Sequence, residues 1–188
     1  MRSVTRPVFR LDARFFSLVA IILGAALLRL VPHPANFTPI AAMALFGAAH
    51  FKNKYVAVLA PLMALLLSDV VIGFHEQMPA VYLAFIAVSL LGFFFVREQK
   101  SVGRIAGASL VGSALFFIIT NFAVWMQTAM YPKSGAGLMA CYVAALPFLQ
   151  NSIAGDLMFN GVLFGAAFAL AKWFPNLPGR VPAKTKVN

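Results

Sequence analysis

TPIAAMALFGAAH, residues 38–50, is the run on which the fold turns. It is apolar except at its two ends, yet a helix of thirteen residues measures only about 20 Å. A hydrocarbon core is roughly 30 Å thick and asks for about 20 residues. If the run is re-entrant, everything after it changes sides. If it makes a short crossing, the chain has six spans. Thr38-Pro39 suits a helix start, with a hydroxyl at the N-cap and proline in the first turn.

The charges around it decide between the two. Outward from residues 38–50 lie five longer apolar runs, at 15–31, 55–73, 79–96, 103–127 and 147–173. Arg2, Arg6, Arg10 and Arg14 precede the first. Lys52 and Lys54 follow the short run, and Arg97, Lys100 and Arg104 follow the run at 79–96. Lys172, Arg180, Lys184 and Lys186 close the chain. The other connections hold Lys133 alone, with Arg29 at the end of the first run. Thirteen of the 15 basic residues thus fall in alternate segments. Lys and Arg mark cytoplasmic segments, so the pattern predicts six spans with both termini inside. A re-entrant short run would break it.

Composition supports the same class. Of 188 residues, 62% are hydrophobic and 11% charged, where soluble domains carry about 25% charged residues. The chain reads as an all-α integral membrane protein. Its net charge of +10 is accounted for by topology, which argues against a nucleic-acid partner. The domain plan is a basic cytoplasmic tail at 1–14, a six-helix transmembrane unit at 15–174 and a basic cytoplasmic tail at 175–188. No small-x-small cleavage site follows the first run, so an uncleaved span is expected there. Cys141 is the lone cysteine, which excludes an internal disulfide. Small residues at four-residue spacing, Ala20/Gly24, Gly103/Gly107 and Gly161/Gly165/Ala169, predict close helix packing within the bundle. Docking to a separate membrane subunit is the other use for such faces.

Ionisable groups at membrane depth are costly and face an interior with a partner. Counted at 1.5 Å per residue from the cytoplasmic end of each run, Arg29 and Asp69 reach about 21 Å. Asn121 and Asp156 reach about 25 Å. This predicts one polar layer in the outer third of the membrane, with Arg29 paired to Asp69 or Asp156. The connections above it are polar and aromatic: His33 and Asn36; His75 and Glu76; Gln127, Tyr131 and Lys133; Tyr142, Gln150 and Asn151, with Trp125 close by. Small-molecule sites are mostly apolar concavities with a few converging polar groups. The expectation is an outward-facing pocket lined by Arg29, His33, Asn36, Asp69, Asn121, Trp125, Tyr131, Tyr142, Asn151 and Asp156. Residues 138–146, too short to span, would be its lid. RLVPHPANFTPIA, residues 29–41, would be its lip rather than a mere hinge.

The stretches HPANFTPIAAMALFGAAHF (33–51), LLLSDVVIGFH (65–75), FFIITNFAVWM (116–126), MYPKSGAGLMACYVAALPF (130–148) and NSIAGDL (151–157) carry a resemblance. With them, residues 29–173 resemble an uncharacterised bacterial family of membrane proteins of about this length. Ser134 stands where that pattern has threonine. The family is in turn similar to the substrate-binding S components of energy-coupling factor transporters, six-helix proteins that bind vitamins or metal-related nutrients from outside. The resemblance implies an S-component-like bundle in the bacterial inner membrane and a small-molecule substrate. It also implies a transmembrane coupling subunit and an ATPase module, with Ala20/Gly24 matching the contact to the former. No catalytic motif, cofactor signature or metal-ligand spacing is present. Two rival readings remain. One is a membrane enzyme or metal-binding protein using His33, His75, Asp69, Glu76 and Asp156. The other is a ligand-free structural or assembly protein.

Overall fold

The structure, a computed structural model, describes residues 12–98 and 100–174, so most of both expected basic tails lies outside the described residues. Among the described residues there are six α-helices and no strand. They are α1 (Ala13–Leu27, prolonged by a 3-10 turn at Leu28–Leu30), α2 (Ile40–His50), α3 (Lys54–Ile72), α4 (Met78–Phe95), α5 (Val102–Gln127) and α6 (Gly135–Trp173). Five are long and apolar enough to cross a membrane, and α2 is the short one.

The short run is the core of the bundle. Its eleven residues span about 16 Å, and every residue from Ile40 to Ala49 is buried. It packs against all five other helices. A helix that is apolar all round belongs inside, and small residues let the neighbours close in. A Cβ placed on Gly47 would stand 2.4 Å from the Ala57 carbonyl oxygen and 2.6 Å from Pro61 Cγ. One on Gly92 would stand 2.7 Å from Ala48 Cβ. Pro61, inside α3, therefore rides on Gly47.

Local caps explain most helix starts. Asp12 accepts from the Phe15 amide at 2.9 Å, Asn53 from Tyr55 at 2.9 Å, Ser101 from Arg104 at 3.3 Å and Ser134 from Gly137 at 3.2 Å. α2 differs from expectation. Its cap residue is Pro39, with no side-chain hydrogen bond, and the Thr38 hydroxyl does not serve. The Pro39 carbonyl accepts from Met43 instead.

Two further expectations are corrected. Residues 138–146 are no lid: they continue α6, which is 39 residues long and about 58 Å from end to end. Tyr142 donates to the Ile118 carbonyl at 2.9 Å, Cys141 packs at 3.5 Å from that of Asn121, and Gly137 sits against Pro132. The segment is thus pinned along α5. Pro147 deletes one helical hydrogen bond without ending the helix. The four-residue glycine stripes are not used inside the bundle either. Gly24, Gly103, Gly107, Gly161 and Gly165 have nothing within 4 Å of an added Cβ. Close approach occurs at Gly47, Gly92, Gly112, Gly137 and Gly155.

Contacts define two ends. At one, the α1–α2 segment meets α6 and Arg29 meets α3. At the other, Arg97 bonds the Lys52 carbonyl, drawing the α2–α3 and α4–α5 connections together. These are called the Arg29 end and the basic end below.

Candidate functional site

The Arg29 end is built around an ion pair. The 3-10 turn after α1 delivers Arg29 to α3, where Nη1 lies 2.7 Å from Asp69 Oδ1. The contact is electrostatic rather than an aligned hydrogen bond, since Oδ1 and Arg29 Nε have no hydrogen-bond partner among the described residues. The same Nη1 reaches the Leu65 carbonyl at 3.3 Å and the Ser68 hydroxyl. Tyr82 of α4 donates to Asp69 Oδ2 at 2.9 Å. The expected pairing of Arg29 is present, and it is to Asp69.

Asp156 belongs elsewhere. Ser113 donates to its Oδ2 at 2.6 Å. One turn along both helices, Asn160 donates to Ser109 Oγ at 3.1 Å and to the Asp156 carbonyl at 2.9 Å. Both contacts follow one antiparallel register, which places residue 102 opposite about residue 167. α6 therefore runs about six residues past the start of α5. The single polar layer was counted with residues 104 and 173 at one level, so this overshoot lowers Asp156 and splits the layer in two.

The other predicted site residues form a third group and a clamp. Asn121 donates to the Phe117 carbonyl of its own helix at 2.8 Å, and the Tyr142 ring packs at a tilt 5.5 Å from that of Phe117. Trp125 donates to the Pro132 carbonyl at 2.9 Å, with Lys133 over its ring. Tyr131 lies half-buried in that connection, and His33 is exposed beside the Pro34 carbonyl. Asn151 donates to the Ala35 carbonyl at 2.9 Å, and Gly155 lies under Phe37 and Thr38. Between them, Asn36 adopts φ 63°, a left-handed conformation that asparagine tolerates better than most residues. Residues 35–38 are thus strapped onto α6.

At the basic end lies a cleft of about 720 Å³, within the usual range for ligand sites. Its walls come from α1, the end of α2, the α4–α5 connection, the start of α5 and the second half of α6. Arg14 and Lys100 supply its basic side, Phe164 and Phe168 part of its apolar wall, and His50 and Asn160 its inner polar groups. His50 packs between Phe46 and Phe164, with ring centroids 4.2 and 5.1 Å away and the planes tilted. Burial, and then the Arg14 guanidinium, lower the pKa of the Lys100 amine, with Glu98 opposing and Arg97 adding to the shift.

Nothing in the sequence reading pointed to this cleft, or to Ser68, Tyr82, Ser109, Ser113 and Asn160. One signal was available: Ser109/Ser113 and Asp156/Asn160 are polar pairs at four-residue spacing on neighbouring helices, a pattern that lines up two faces. Among the described residues, no group of three or more His, Cys, Asp or Glu is placed to hold a metal ion. Asp69 and Asp156 are each engaged in separate networks. No curated protein and no solved structure matches the chain. Residues 9–177 match the model of a family of unknown function, DUF6580, and the chain belongs to that family.

Proposed function

We propose that this protein is the membrane-embedded binding component of a nutrient importer, with no catalytic step of its own. On this reading all six helices cross the inner membrane and both termini are cytoplasmic. The basic end then faces the cytoplasm, and the Arg29 end takes a small vitamin-like or metal-related nutrient from outside. The observation that carries it is the trio of buried ionisable side chains, Arg29, Asp69 and Asp156, inside otherwise apolar helices. Such residues mark substrate pathways in membrane proteins. The strap at residues 35–38 and the polar connections around it would form the entrance. A coupling subunit and an ATPase module would supply the energy, as in the energy-coupling factor transporters that the sequence resembles.

Native mass spectrometry of the gently extracted full chain tests this. The expected result is a water-soluble small molecule bound one to one, retained about tenfold less well by Asn121→Ala at unchanged melting temperature, and less well also by Trp125→Ala, which loses its bond to the Pro132 carbonyl besides. Retention of no such molecule from any growth medium, with neither variant impairing growth on limiting nutrients, would favour the ligand-free structural role.

A further inference from the structure

We infer that the cleft at the basic end holds one anionic phospholipid. Its phosphate would lie between Arg14 and Lys100, and an acyl chain along α6 over Gly161 and Gly165. Three observations point there. Cationic groups from different elements, Arg14 of α1 and Lys100 of the α4–α5 connection, meet at the same cleft as Phe164, Phe168 and both glycines of α6. Lys100 already donates to the Arg97 carbonyl at 3.0 Å and has Glu98 beside it, yet Arg14, Arg97 and Lys100 leave this end with an excess of positive charge, and basic pockets between transmembrane helices take phospholipid head groups. The glycines leave a furrow: both are exposed, and a Cβ on either would meet nothing within 4 Å. The walls are open to the surroundings, with Val102 84% and Phe168 73% exposed. Within a bilayer, side chains so exposed at a helix end touch lipid, so an acyl chain can enter sideways while its phosphate stays level with the basic residues. A soluble anion would leave the apolar furrow empty, whereas a lipid satisfies both halves. The smaller residues that sequence alone assigns to helix packing thereby acquire a different use.

The test titrates the purified full chain in neutral detergent with dioleoyl phosphatidylglycerol and dioleoyl phosphatidylcholine, counting bound lipids by native mass spectrometry. One phosphatidylglycerol should be retained in preference, and Arg14→Gln/Lys100→Gln should cut that preference about 25-fold, at about fivefold per basic residue. Lys52→Gln/Lys54→Gln removes the same charge from the same end, away from the cleft, and should cut it little. Equal losses in the two variants would mean general surface electrostatics and overturn the site. Gly165→Leu, which the open face tolerates, should fill the furrow and weaken both lipids while the melting temperature holds. Unchanged binding in Gly165→Leu, or competition by inorganic phosphate as effective as by phosphatidylglycerol, would also overturn it. Both readouts are made in detergent, so they stand whichever way the protein faces.

Discussion

Arg29 and Asp69 form an ion pair at 2.7 Å with their side chains 8% and 2% exposed. Tyr82 and Ser68 close the network around them. Removing one partner strands the other charge, which costs about 3–5 kcal/mol in a buried site. Arg29→Met and Asp69→Leu should therefore each destabilise strongly, and the double variant should be milder than either. Tyr82→Phe removes one hydrogen bond to a charged group and should cost about 1.5–3 kcal/mol. Unfolding midpoints in mixed micelles measure all four. A double variant whose loss equals the sum of the singles would show that the two residues act independently.

Gly47 and Gly165 make a contrasting pair. An added methyl on Gly47 collides with the backbone of α3 at 2.4 Å, and one on Gly165 meets open space. Gly47→Ala should therefore lower stability by about 1–3 kcal/mol, the usual cost of overpacking. Gly165→Ala should leave it unchanged or slightly raised, since alanine favours the helix by about 1 kcal/mol. Thermal melts decide, and a harmless Gly47→Ala would contradict the close contact of α2 with α3.

Much of the helix layout was legible in the sequence because long apolar runs in lipid leave little choice. The start of α5 was misplaced by one residue and its end by none. What escaped the reading depended on register between helices. Small residues at four-residue spacing mark a face without saying whether that face meets protein or lipid, so Gly161 and Gly165 were assigned inward and lie outward. Asp156 was placed level with Asn121 because the overshoot of α6 past α5 is a tertiary fact. Residues 138–146 were read apart from the span at 147–173, whereas they form one helix with it and lie against α5 through Cys141 and Tyr142.

The proposed orientation has a direct check. In a chain with Cys141 replaced, single cysteines at positions 53 and 75 sample the α2–α3 and α3–α4 connections at the two helix ends of α3. An impermeant maleimide added to intact cells should label position 75 and spare position 53 until the membrane is opened. Labelling of position 53 alone would invert the protein and place the basic end outside, against the bias of its lysines and arginines.

Asn36 distinguishes an entrance from a mere connection. Its φ of 63° means that any substitution tests backbone and side chain together, unless the new residue accepts the left-handed conformation. Glycine accepts it without steric cost, while a β-branched residue is forced there at about 1–2 kcal/mol or more. Asn36→Val should thus lower the melting temperature whatever the residue does. Asn36→Gly keeps the turn and removes only the amide, and the strap stays held by the bond from Asn151 to the Ala35 carbonyl. If residues 35–38 form the entrance to a nutrient site, Asn36→Gly should melt like the parent but retain co-purified ligand about tenfold less well, near 1.4 kcal/mol. Asn151→Ala should then impair both, because it frees the strap. Equal ligand retention in Asn36→Gly and parent, beside a destabilised Asn36→Val, would leave the segment a structural turn and move the search for the binding surface toward Trp125 and Tyr142.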